Sequence, residues 1–137
     1  MTIVIDASMT IAWLFRDERG DLPQTVLRRV VAEGGVAPSI WRLEVANVMR
    51  NSVRRGRCSE DYAERCLQRL GRLRIVIDAE TDRHAWGATR TLSRQYNLTL
   101  YDAAYLELAV RLQSPLASCD RALLDAARAS GLHAVGA

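Results

Sequence analysis

Five short runs rich in β-branched and small apolar residues recur along this chain, with longer helical patterns between them. This alternation constrains the fold more than any other feature. "TIVID" (2–6) reads as a buried strand, and "VAPS" (36–39), "RIVID" (74–78), "PLASC" (115–119) and "HAV" (133–135) read as four more. "SMTIAWLFR" and "LPQTVLRRVVAE" read as helices separated by the polar stretch 17–21, with Pro23 in a first turn and Gly34-Gly35 as a stop. A helix is expected over about 40–55, closed by Arg54, Arg55 and Gly56. Ser59 caps the next, whose Tyr62, Cys66, Leu70 and Leu73 share one face. Further helices are expected from about Thr81 to Tyr96, over 100–113 with Glu107 and Arg111 as an exposed i,i+4 pair, and over "RALLDAARAS" before Gly131. Strands alternating with helices predict an α/β fold, a parallel sheet of about five strands with helices on both faces. A length of 137 residues suits one domain.

In such sheets, sites form beyond the carboxyl ends of the strands. Asp6 ends the first strand and Asp120 directly follows the fourth. If those two strands are neighbours, both carboxylates face one crevice. Asp102 lies in the first turn of helix 100–113, where amide groups and the helix dipole favour negative charge. Glu44 sits one turn into its helix between Leu43 and Val45, where burial is costly without a partner. Asn47 and Asn51 continue its polar stripe. Asp6, Asp102 and Asp120 also suit helix N-caps, and Glu44 also suits pairing with an arginine. Four acids brought together would repel one another, a conflict that a hard divalent cation removes. Mg²⁺ or Mn²⁺ takes oxygen ligands, activates water and stabilises charge on a phosphoryl oxygen. Ser8 and Ser118, two residues from Asp6 and Asp120, are placed to support the carboxylates.

Composition narrows the chemistry. All nineteen basic residues are arginine, so no mechanism that needs a lysine is open. That argues against a phosphoacceptor signalling domain, and Ser8 in place of a second acid argues against a DxD phosphatase. With the four site carboxylates neutralised, nineteen arginines against the twelve other acids leave +7, which suits a polyanion. Arg16, Arg42 and Arg121 flank the site segments and are candidates for phosphate contact. His84 and His133 are expected in structural or surface roles. Trp13, Trp41 and Trp86 are expected in the core, with Trp13 and Phe15 as an alternative partner groove. Cys58, Cys66 and Cys119 are expected as free thiols. No apolar run approaches a membrane span, and the first residues read as a strand rather than a signal peptide, so a cytoplasmic location is expected.

"IVIDAS", "LEVANV", "LTLYDAAYLELAVRL" and "PLASCDRAL" together resemble the PIN-domain family, and within it the VapC-type toxins of toxin–antitoxin pairs. The resemblance covers the whole chain in order. It implies one PIN domain over 1–137 with an α/β/α sandwich, and a Mg²⁺- or Mn²⁺-dependent endoribonuclease that blocks translation. It assigns Asp6, Glu44, Asp102 and Asp120 to the metal and catalytic site. It also implies a homodimer and a cognate VapB-like antitoxin. One departure is Ser118, where threonine is common; the hydroxyl is kept. A PIN-fold RNA- or protein-binding module without turnover is the competing expectation.

Overall fold

The computed structural model describes residues 2–15 and 20–136. Five strands, β1 (Ile3–Ile5), β2 (Gly35–Ala37), β3 (Ile75–Ile77), β4 (Leu116–Ala117) and β5 (Ala134–Val135), form one sheet in the order β3-β2-β1-β4-β5. Every pairing is parallel. The helices are α1 (Ala7–Leu14), α2 (Leu22–Glu33), α3 (Trp41–Arg54), α4 (Glu60–Gly71), α5 (Thr81–His84), α6 (Ala88–Tyr96), α7 (Leu100–Leu112) and α8 (Arg121–Ala129). Helix α1 packs against α2 and α3, and α3 against α4; α7 packs against α5, α6 and α8. Two helical groups therefore flank the sheet, as right-handed crossovers in opposite directions from β1 require.

The strand order reverses between β1 and β4. That pair is the topological switch point, where the loops leaving two neighbouring strands part to opposite sides and open a crevice. Ile3, Val4 and Ile5 of β1, and Leu116 and Ala117 of β4, are fully buried, as the central strands of a doubly covered sheet should be. The chain must turn sharply from α2 into β2. Gly34 makes that turn with φ of 84° and its N–H bonds the Val30 carbonyl. A Cβ there would also press on the Arg74 carbonyl at 3.3 Å, so glycine is required twice over.

Three expectations need correction. The helix expected over 81–96 is two, broken at residues 85–87, where Gly87 is a weak helix former. Trp86 lies in that break and is 91% exposed, so it is not a core residue. The Glu107–Arg111 pair is not a surface pair. Helix α7 is buried from Ala103 to Ala109, so Glu107 points into the protein. Arg111 there bonds both Glu107 oxygens, at 2.8 and 3.0 Å, and both oxygens of Asp78 just beyond β3, at 3.2 and 2.7 Å. Two doubly hydrogen-bonded carboxylates on one guanidinium clamp α7 to the end of β3. Among the described residues, Cys58, Cys66 and Cys119 form no disulfide.

Candidate active site

Asp6 leaves β1 at the switch point and serves as the N-cap of α1. Its Oδ1 accepts the Met9 N–H at 2.8 Å. Three further contacts hold it. The Ser8 hydroxyl donates at 2.8 and 2.9 Å to its two oxygens, and the Ser118 hydroxyl donates to Oδ2 at 2.5 Å. Ser118, at the end of β4, is fully buried, and its oxygen in turn accepts the Asp120 N–H at 2.9 Å. Ser8 closes the loop by accepting the Cys119 N–H at 2.9 Å. Two serines thus stitch the β1–α1 and β4–α8 turns together. Beneath them, the Thr10 hydroxyl bonds the Asp6 carbonyl and accepts the Trp41 indole N–H at 2.9 Å, which fixes α3 against α1.

Asp120 caps α8, accepting the Leu123 N–H at 3.2 Å. Asp102 stands in the first turn of α7, whose N-cap is Thr99; the Thr99 hydroxyl accepts the Asp102 N–H at 3.1 Å. Glu44 reaches in from α3, half-buried, and its Oε1 accepts the Tyr105 hydroxyl at 2.6 Å. The N-cap and site readings of Asp6 and Asp120 do not compete. A helix starting directly after each strand puts the capping carboxylate at the mouth of the crevice.

The acids feel one another's charge. Burial pushes the Asp6 carboxyl up to about 6, against the pull of its Ser118, Met9 and Ser8 hydrogen bonds, and the Asp102 charge adds to the rise. Glu44 is raised by burial first and also by Asp102, with Tyr105 pulling the other way. Asp102 is raised by burial and then by Asp120. Asp102 is therefore the hub, feeling Asp120 and felt by both Asp6 and Glu44. Asp6, Glu44, Asp102 and Asp120 offer carboxylate oxygens and Ser8, Ser118 and Tyr105 hydroxyls, donors that suit a hard cation rather than a soft one. Among the described residues, however, no three His, Cys, Asp or Glu side chains stand close enough together to hold a metal ion. Mg²⁺ is commonly held by one or two carboxylates with water completing the shell, so the residues fit such an ion in kind.

The remaining expected residues lie further out. Asn47 is exposed on α3, one turn beyond Glu44, and Arg121 is exposed at the start of α8 beside Asp120. Arg42 is exposed on α3 at the edge of a small apolar pocket that Trp41 and Leu67 also line. Arg16 lies outside the described residues. His84 is half-buried and His133 exposed, and neither enters the shifts of Asp6, Glu44 and Asp102. Tyr105 was not among the expected site residues. Its only sequence signal was a hydroxyl three residues past Asp102 inside an apolar run, which reads as core.

Away from this crevice, a groove of about 690 Å³ runs between α1, α2 and α4, lined by Trp13, Phe15, Leu27, Val31, Tyr62 and Leu73 among others. The Phe15 ring packs tilted against Tyr62 with centroids 6.0 Å apart, and the Tyr62 hydroxyl bonds the Leu14 carbonyl.

Comparison with known proteins agrees with this architecture. The chain is 27% identical over 125 residues to ribonuclease VapC3 of Pyrobaculum aerophilum, covering 91% of this chain and 94% of the relative. Its fold superposes on the crystal structure of PAE2754 from the same organism with a TM-score of 0.71 at 21% identity, over 98% of this chain and 90% of the other. It also superposes on VapBC2 from Rickettsia felis, solved bound to a DNA fragment from its promoter, with a TM-score of 0.69 at 15% identity, over 99% and 98% of the two chains. The PIN domain family matches residues 3–129, nearly the full length, and the chain belongs to that family.

Proposed function

We propose that the protein is a divalent-metal-dependent endoribonuclease, the toxin of a VapBC-type pair. The observation that carries this reading is the β1/β4 switch point, where Ser8 and Ser118 tie the Asp6 and Asp120 turns together and the charge of Asp102 reaches Asp6 and Glu44. Asp6, Glu44, Asp102 and Asp120 are the residues assigned to Mg²⁺ or Mn²⁺, directly or through its waters. The bound ion would supply an activated water and charge stabilisation at a phosphoryl oxygen. Ser8 and Ser118 keep Asp6 aimed into the crevice, and Asp120 is held by its own cap. Tyr101, 60% exposed beside Asp102, offers an aromatic face to an unpaired base, and Arg121 offers a charge to a phosphate. With an acidic floor and a basic remainder, RNA would be drawn to the surface and seated only with the cation present.

The toxin assignment rests on the relatives, one of them a ribonuclease and one solved as a VapBC complex. The apolar groove between α1, α2 and α4 is the surface assigned to the VapB-like antitoxin. No helix among the described residues is long and apolar enough to cross a membrane. The resemblance to VapC-type toxins supports a cytoplasmic homodimer as the working state.

Cleavage of structured RNA in Mg²⁺ or Mn²⁺, lost in EDTA and in Asp102→Asn, tests the reading. Equal cleavage by wild type and variant would sink the site, and no cleavage of any RNA would favour a binding module. In a two-gene expression, Val31→Glu in the exposed wall of the groove should release the co-purifying antitoxin and spare cleavage.

A further inference from the structure

We infer that Tyr105 is a positioning residue that fixes Glu44 beside Asp102 and thereby tunes the cation affinity of the site. The inference rests on the metal-site reading above but not on the identity of the substrate. Tyr105 is 1% exposed, so its hydroxyl has no recourse to water, and the acceptor it finds is Glu44 Oε1 at 2.6 Å. That length is the one expected for a hydroxyl donating to a charged carboxylate. It joins residues 61 positions apart, one from each helical group, and so sets where the tip of a long side chain sits. A free glutamate on a helix surface samples several rotamers, and ordering it costs side-chain entropy. The Tyr105 hydroxyl supplies that order before any cation arrives. It engages Oε1, so Oε2 is the oxygen that a cation or its water would take.

The placement of Tyr105 supports a role tied to the site rather than to packing alone. It stands three residues beyond Asp102 on α7, and the field of Glu44, Asp6 and Asp102 reaches its phenol. A core tyrosine needs only some acceptor; this one has the carboxylate that lies within the field of Asp102. Phenylalanine would keep the ring and its packing while releasing Glu44.

The test is Mn²⁺ binding followed by electron paramagnetic resonance in wild type, Tyr105→Phe, Glu44→Gln and the double variant. Tyr105→Phe should bind Mn²⁺ on the order of 10-fold more weakly, as expected for a residue that orients a metal ligand. The double variant should be no weaker than Glu44→Gln alone, because Tyr105 acts through Glu44. Unchanged affinity in Tyr105→Phe, or two losses that simply add, would overturn the inference. A wild type that holds no Mn²⁺ would overturn both this and the metal-site reading, whereas retained binding without RNA cleavage would sink only the ribonuclease. Should Tyr105→Phe not fold, the wild type supplies its own readout. Mg²⁺ should move the buried Tyr105 hydroxyl proton in its nuclear magnetic resonance spectrum and leave that of Tyr62 in place; an unmoved Tyr105 proton would overturn the inference.

Discussion

Replacing Asp6 by asparagine should remove activity and make the metal-free protein more stable at neutral pH. The carboxyl is 3% exposed, and its pKa lies at about 6 against an ordinary 3.8. A carboxylate raised in the folded state binds its proton more tightly there than in the unfolded chain. Its effect on stability is therefore most favourable below 3.8 and is lost as pH rises to 6. A rise of about two units, at about 1.36 kcal/mol each, means that the charged form costs the fold about 3 kcal/mol at pH 7.5. Asparagine removes the charge and can still accept the Met9 N–H. Its amide nitrogen cannot accept from Ser118, so one hydroxyl must turn away at a cost of about 1 kcal/mol. The net gain is about 2 kcal/mol, or roughly 6–10 °C in melting temperature for a chain of this size. Urea melts in EDTA at pH 7.5 and pH 5, at one protein concentration, read this directly. At pH 5, where the folded carboxyl is mostly protonated, the cost of the charge falls to about half, so the gap should shrink to about a third. Saturating Mg²⁺ should reverse the order, since a ligand at about 100 times its Kd adds about 2.7 kcal/mol to a protein that binds it. A less stable Asp6→Asn in EDTA, or a gap that ignores pH, would refute the picture of Asp6 as a buried charge awaiting a cation.

Two other changes probe the frame of the site. Ser118→Ala removes a hydrogen bond that favours the Asp6 carboxylate, so the acid limb of the pH–activity profile should move up by about one unit, while Ser118→Thr should leave it in place; a limb unmoved in the alanine variant would show that Asp6 does not set it. Arg111→Met strands Glu107 and Asp78, with side chains only 5% and 10% exposed, and should cost about 3–5 kcal/mol in a urea melt. A loss under about 1 kcal/mol would mean that the clamp on α7 is relaxed by water.

The sequence carried the frame of the site better than its connections. Asp6 and Asp120 could be placed because a short buried strand ending in an acid, followed at once by a helix, has few geometries, and the β1/β4 pairing makes the two ends neighbours. Glu44 looked awkward on an apolar helix, and its neighbour Leu43 proves to be 76% exposed, so the surroundings are less apolar than the string suggests. What the sequence hid was long-range pairing. Tyr105 and Glu44, and Asp78 and Arg111, are 61 and 33 positions apart, and no periodicity reports such contacts. The i,i+4 spacing of Glu107 and Arg111 was legible but says nothing about which face of α7 is buried, because that helix is apolar almost all round. The break at Gly87 was missed because Ala85, Ala88 and Leu92 keep a helical period across it.

The most direct measurement is anomalous X-ray scattering from crystals soaked in Mn²⁺. The expected result is a Mn²⁺ peak between β1 and β4, about 2.1 Å from carboxylate oxygens of Asp6 or Asp102, which disappears in Asp6→Asn. Saturating Mn²⁺ that leaves the crevice empty, or that binds only elsewhere on the molecule, would contradict the assignment of these acids as a metal-dependent site.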